Sequence, residues 1–156
     1  MTERDTRAEF LDSIAAEFLH LRPTGRRLVA VEGEDAAVAA RLADDLAVAL
    51  GRRGQHAVRL SIGDVDEAAL RASVVDPFRA QSLAVADGSD TVLVVDGRRL
   101  HDLSVVGVWH FSVWTLQGDA LPHTGATVMV DATDESAPTR YLLDYCAVPR
   151  SVGDLR

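Results

Sequence analysis

Lysine is missing from this chain: all 16 basic residues are arginines. Functions that rest on a compact, flexible ammonium charge are excluded, because arginine's planar fork does not replace it. Cysteine occurs once, at Cys146, so no intramolecular disulfide can form. It reads as a small residue packed on an apolar helix face. No apolar run approaches the roughly 20 residues of a membrane span. The N-terminal MTERDTRAEF is charged and lacks the apolar region of a signal peptide. The formal net charge of −8 argues against a general nucleic-acid binder, which would carry a basic patch, although it leaves room for a local arginine site. The expectation is a cytoplasmic protein with neither membrane nor nucleic acid as partner. With 156 residues, 47% of them apolar, the chain suits one domain, 1–156, with a real core. The Arg-only, Ala-, Val- and Asp-rich usage is that of a GC-rich genome.

The chain is organised around residues 28–50, LVAVEGEDAAVAARLADDLAVAL. They read as a buried strand, a tight turn at Gly33 and an amphipathic helix with Val38, Leu42, Leu46 and Leu50 on one face. Strand, turn and helix in this order make the layout of a phosphate-binding loop, GxxxxGK[ST]. There glycines turn backbone N–H groups toward phosphates, Lys neutralises them and Ser/Thr binds magnesium. Gly33 fills the first position, but Val38, Ala39 and Ala40 stand where the second Gly, the Lys and the Ser/Thr belong. Glu34 and Asp35 put acid where a polyphosphate would sit.

The stretch RRLVAVEGEDAAVAARLADDLAVALGRRGQHAVRLSIGDV resembles the N-terminal part of bacterial uridine kinase-like proteins, in the P-loop nucleoside kinase group. VVDPF at 74–78, TVLVVDG at 91–97 and ATVMVDATDESAP at 126–138 extend the resemblance over most of 22–138, with gaps. It implies a three-layer α/β, P-loop NTPase-like sheet of about five mostly parallel strands. It also implies an Asp that activates the nucleoside hydroxyl in a motif similar to S-I-D-D-F. Here the motif is Ser61-Ile62-Gly63-Asp64-Val65, so that carboxylate falls on Gly63, and Asp64 comes one residue late. Asp96, at the end of strand 91–95, stands at the position that helps hold magnesium in such folds. The family's arginine-bearing lid between its last two strands has no counterpart here, and the segment between Asp76 and Thr91 is shortened.

The remaining elements follow from pattern. Residues 3–20 form a helix with Phe10, Ile14 and Phe18 in one stripe, flanked by Leu11, Ala15 and Leu19 and broken by Arg22-Pro23-Thr24-Gly25. Strand 27–32 and helix 36–50 precede a strand at 56–62. Asp64-x-x-Glu67 resembles a capping box and starts helix 65–75. That helix stops near Asp76-Pro77, which opens another through about residue 86, closed by Asp87-Gly88. In strand 105–116, alternation puts Trp109, Phe111 and Val113 on one face and Val108, His110, Ser112 and Trp114 on the other. The short connector before strand 126–132 falls below the dozen or so residues of a parallel crossover. These last two strands are therefore expected to form an antiparallel hairpin, or the last to reach the sheet by an extended loop. In the tail, Ser136 and Pro138 start a short helix through Tyr141, Leu142 and Tyr145, stopped by Pro149.

The candidate catalytic residues are Asp64, Asp96 and His110; the candidate ligand-binding residues are Gly33, Glu34, Asp35, Arg98, Arg99 and His101. Each has a plain structural alternative: a cap for Asp64, a strand-end turn for Asp96, solvated surface for Arg98 and Arg99. The five histidines show no metal-ligand spacing, so no metal is expected, although His101, His110 and His123 could meet at one end of the sheet. Trp109 and Trp114 read as core or interface residues, one of which could flank a pocket.

Three readings remain. The first is a degenerate kinase-like domain that transfers no phosphate, needs neither ATP nor magnesium, and binds a protein partner, a small ligand or a second copy of itself. The second is a repurposed enzyme. Its cleft at the C-terminal ends of the strands, lined by Glu32, Glu34, Asp35, Asp64, Asp96 and His101 or His110, would do acid–base chemistry on an uncharged or cationic substrate. The third is a residual nucleotide binder using Arg41, Arg98 or Arg99 in place of Lys.

Overall fold

A computed structural model describes residues 3–142 apart from residue 87. Helix α1 (Glu3–Leu21) leads into β1 (Arg27–Gly33), α2 (Ala36–Arg52) and β2 (Ala57–Ser61). A helical stretch follows, made of α3 (Glu67–Leu70), a π-helical turn (Arg71–Val75) and α4 (Asp76–Arg79). Then come β3 (Val92–Asp96), β4 (Phe111–Leu116), β5 (Val128–Asp131) and β6 (Thr139–Tyr141). The six strands form one sheet in the order β2-β3-β1-β4-β5-β6. All neighbours are parallel except β5 and β6.

β1 is the central strand, and its sequence says so: a strand buried on both faces reads as a continuous apolar run. Val29 and Val31 face a core shared with α1 and α2, where Leu11, Ile14, Phe18, Leu42 and Leu46 are buried. Leu28 and Ala30 face the opposite core, with Leu70, Val74, Val75 and Phe78 of the α3–α4 stretch. Phe18 meets Phe111 of β4 edge to face at 5.4 Å, which fixes α1 over the middle of the sheet.

Several expectations are corrected. Of the two arrangements expected for strands 105–116 and 126–132, the hairpin does not form and the extended loop does: β4 and β5 run parallel, and residues 117–127 join them with no helix or strand. Ser112 and Thr127 seat the end of that loop by exchanging two bonds, each side-chain oxygen accepting from the other's backbone N–H. The antiparallel pair among the described residues is instead β5 with β6, which occupies residues expected to be helical. Tyr145, Cys146 and Pro149 lie outside the described residues, as does Asp87 of the expected helix stop. β4 begins only at Phe111; a 3₁₀ turn (Val106–Val108) precedes it and turns Trp109 to the α3–α4 face, away from Phe111 and Val113.

Helix α3 is capped by Asp66, whose side chain accepts from Ala69 N at 2.8 Å, not by Asp64. Glu67 pairs with Arg71 rather than reaching back to the cap. The stretch runs on through Pro77 because the π turn absorbs it. Asp76 N–H bonds five residues back, to Arg71, and the widened turn removes the clash that a proline ring makes in a regular helix.

Candidate functional site

β1 leads to β2 on one side of the sheet, while its neighbour β4 leads to β5 on the other. Ligands of such sheets bind where neighbouring connections diverge, beyond the C-terminal ends of the strands. A cleft of about 450 Å³ lies there, lined by Glu34, Asp35, Arg98, Thr115 and Gln117 among others.

Gly33 ends β1 in register with Thr115 of β4. A Cβ on it would clash with the Thr115 side chain and lie 2.7 Å from the Thr115 carbonyl oxygen. Interstrand packing therefore accounts for this glycine. Only Glu34 and Asp35 separate β1 from α2. Asp35 is the N-cap: its Oδ1 accepts from Ala37 N at 3.0 Å and Val38 N at 3.2 Å. The chain's own carboxylate thus holds amides that a bound anion would otherwise use. Val38 and Ala39 are buried in the core, so the position aligned with the phosphate-binding Lys points inward. Arg41 forms a two-pronged pair with Glu135, with both bonds at 2.9 Å.

Asp96 is buried at the end of β3, bonded to Arg59 at 2.7 Å and to the Ser61 hydroxyl. Arg59 also reaches Asp44 and the Val94 carbonyl. The carboxylate therefore already has a cationic partner. Asp64 and Arg99, both exposed, pair with each other at 3.0 Å. Arg99 sits at φ 62°, in the left-handed region, within the turn that follows Gly97. Gly97 has no room for a side chain, since a Cβ would lie 2.8 Å from the Gly63 carbonyl. Arg98 is exposed and lines the cleft.

On the opposite face of β1, Glu32 stands in register with Trp114 of β4. Its Oε1 accepts from the backbone N–H of His101 at 2.9 Å and lies 2.8 Å from His101 Nδ1. All of the His101 ring is buried, and it meets Trp114 and His123 at 5.5 and 5.2 Å between centroids. His123 comes from the 117–127 loop and packs 5.0 Å from Trp114. Burial is the main cause that pushes the His123 pKa down.

The structure therefore brings His101 and His123 together but not His110. His110 lies at the other end of the strands, where its Nδ1 accepts from Leu28 N at 2.9 Å and its own N–H bonds Leu28 O. Burial first, then Arg22, Arg79 and Arg27, lower its pKa, in keeping with a neutral ring that accepts a backbone bond. Glu32, His123 and Trp114 entered as separate expectations, a cleft carboxylate, a histidine at one end of the sheet and a possible pocket flank, but their convergence on His101 was not read from the sequence. The one local signal was a glutamate late in an otherwise apolar strand. Among the described residues no group of three or more His, Cys, Asp or Glu converges as a metal site, and no helix is long and apolar enough to cross a membrane.

No protein-family model matches the chain, and no curated protein matches it in sequence. Among solved structures it is similar to a provisionally named fructose transport system kinase from Silicibacter sp. TM1040, with 17% identity, 76% of each chain covered and a TM-score of 0.48. That likeness concerns the course of the backbone alone.

Proposed function

We propose that this chain is a degenerate uridine kinase-like domain that transfers no phosphate and binds a small ligand or a protein partner at the cleft beyond β1 and β4. The observation that carries this reading is the Asp35 cap, which occupies the α2 amides with a carboxylate. Three further features support it. Ala39 is buried where a phosphate-binding Lys would stand, Asp96 is engaged by Arg59, and a loop of residues 117–127 replaces any arginine-bearing lid. Phosphoryl transfer depends on positioning and charge stabilisation, so these changes remove its means. In this reading the protein works in the cytoplasm without ATP or magnesium. Glu34 and Asp35 favour an uncharged or cationic occupant.

The test is thermal unfolding with ATP, GTP, nucleosides and polyols, each with and without magnesium. The expected result is no shift with either nucleotide. A magnesium-dependent rise in Tm with ATP would overturn the reading, and Arg98 would then be the residue to replace.

A further inference from the structure

The Glu32–His101 pair leaves a specific polar demand unmet. His101 Nε2 and Trp114 Nε1 are both buried, and neither has a hydrogen-bond partner among the described residues. Buried polar atoms in folded proteins nearly always have one. The two atoms belong to one cluster of three rings, with centroids 5.0 to 5.5 Å apart.

The chemistry of the pair narrows what would satisfy it. Glu32 Oε1 already accepts from the His101 backbone N–H, and an ionised carboxylate only accepts, so Nδ1 carries the ring hydrogen. In the neutral ring, Nε2 is then an acceptor, whereas Trp114 Nε1 can only donate. A donor and an acceptor orphaned in one cluster suit a group that is both.

We propose that His101 Nε2 and Trp114 Nε1 together hold one hydroxyl oxygen, of a small neutral alcohol or of a water molecule, beneath the ring of His123. The hydroxyl accepts from Trp114 and donates to His101. If His101 is charged, the same oxygen accepts from both. An anion is disfavoured, because the Glu32 carboxylate is only one imidazole ring away and His123 is held toward its neutral form. His123 is half-buried and sits on a loop without helix or strand. This site stands on residues other than those of the cleft, so its fate is independent of the nucleotide test.

The experiment follows the indole N–H signal of Trp114 by ¹H–¹⁵N NMR in separate titrations with ethylene glycol and sodium acetate. The chain has two tryptophans, and Trp109 donates to the Leu100 carbonyl. Trp114→Phe assigns the signal, and Trp109→Phe assigns it if the first variant does not fold. A saturable shift with ethylene glycol supports an alcohol site. A cross-peak from the indole proton to a long-lived water, without a glycol shift, supports the same site filled by water. Neither result, or a saturable shift with acetate, overturns the proposal. The imidazole ¹⁵N shifts of His101 provide a second check: the Nδ1–H form or the doubly protonated ring is expected, and an Nε2–H neutral ring would refute it.

Discussion

Replacing Asp35 with Ala tests both the fold and the functional reading at one residue. Asp35 Oδ1 accepts from Ala37 N and Val38 N at 3.0 and 3.2 Å at an exposed helix start. Losing an N-cap side chain costs about 0.5–2 kcal/mol. These bonds are on the long side and open to water, so the lower half of that range applies, about 1 kcal/mol. For a chain of this size, that lowers Tm by roughly 2–4 °C. Asp35→Asn keeps a capping oxygen and loses only the favourable charge at the helix N-terminus, a smaller cost of about 0.3–1 kcal/mol. Asp35→Gly should cost only a few tenths of a kcal/mol relative to wild type, roughly. Urea unfolding at neutral pH, read by far-UV circular dichroism, gives all three values. The same variants should remain unshifted by ATP with magnesium, because Glu34 and the buried Ala39 are unchanged. If Asp35→Ala loses no stability, the cap is not what holds the helix start. If Asp35→Ala gains a magnesium-dependent ATP shift, the cap alone was excluding phosphate, and the argument from several separate losses fails.

Gly33→Ala should destabilise by about 1–3 kcal/mol, the usual range for forced overpacking, since its Cβ has no room against Thr115; Gly33→Ala with Thr115→Ser would recover little, because the Thr115 carbonyl stays in place, and equilibrium unfolding measures both. Arg59→Met should cost about 1.5–3 kcal/mol, the range for a charged hydrogen bond, by leaving Asp96 without its cation; Asp96→Asn in the same chain should recover part of the loss, and a double-mutant cycle that finds no coupling would refute the pairing argument. The lowered His110 pKa sets a pH dependence. The folded state prefers the neutral ring, so this contribution is fully present above the unfolded value of about 6.5 and is lost as pH falls below it through the folded pKa. His110→Asn, which can still accept from Leu28 N, should flatten the acid side of the stability–pH curve, and an unchanged slope would refute the assignment.

What the sequence made legible were the elements with long periodic patterns. α1 and α2 bury the stripes their spacing predicts, and β1 is buried on both faces as its apolar run requires. Features decided by tertiary contact were not legible. β6 is three residues long, too short for an alternation to be seen. It holds its place through pairing with β5 and through the Arg140–Glu17 pair, made across 123 positions of chain. Asp64 and Asp66 are both plausible caps by residue type, and the helix entered two residues later than the Glu67 pattern implied. Of the two arrangements expected from connector length, the extended loop is the one formed, because an extended crossover needs no room for a helix. At the site, histidine spacing could not separate His110 from His101 and His123. Which end of β4 each reaches depends on where that strand begins, and the 3₁₀ turn before Phe111 hides that start.

The same end of the sheet shows how a cleft can keep its shape while its charge is settled internally. The α2 amides are met by Asp35, Asp96 by Arg59 and Ser61, and Asp64 by Arg99. Each of these groups has a partner from its own chain, and a ligand would have to displace that partner before binding. An exposed pair such as Asp64–Arg99 yields at small cost, whereas the half-buried Arg59–Asp96 pair does not. Among the described residues, the buried side-chain polar atoms left unanswered are elsewhere, at His101 and Trp114. Their demand is for one uncharged hydrogen-bonding group rather than for a polyphosphate. On electrostatic grounds that demand favours a neutral, hydroxyl-bearing group.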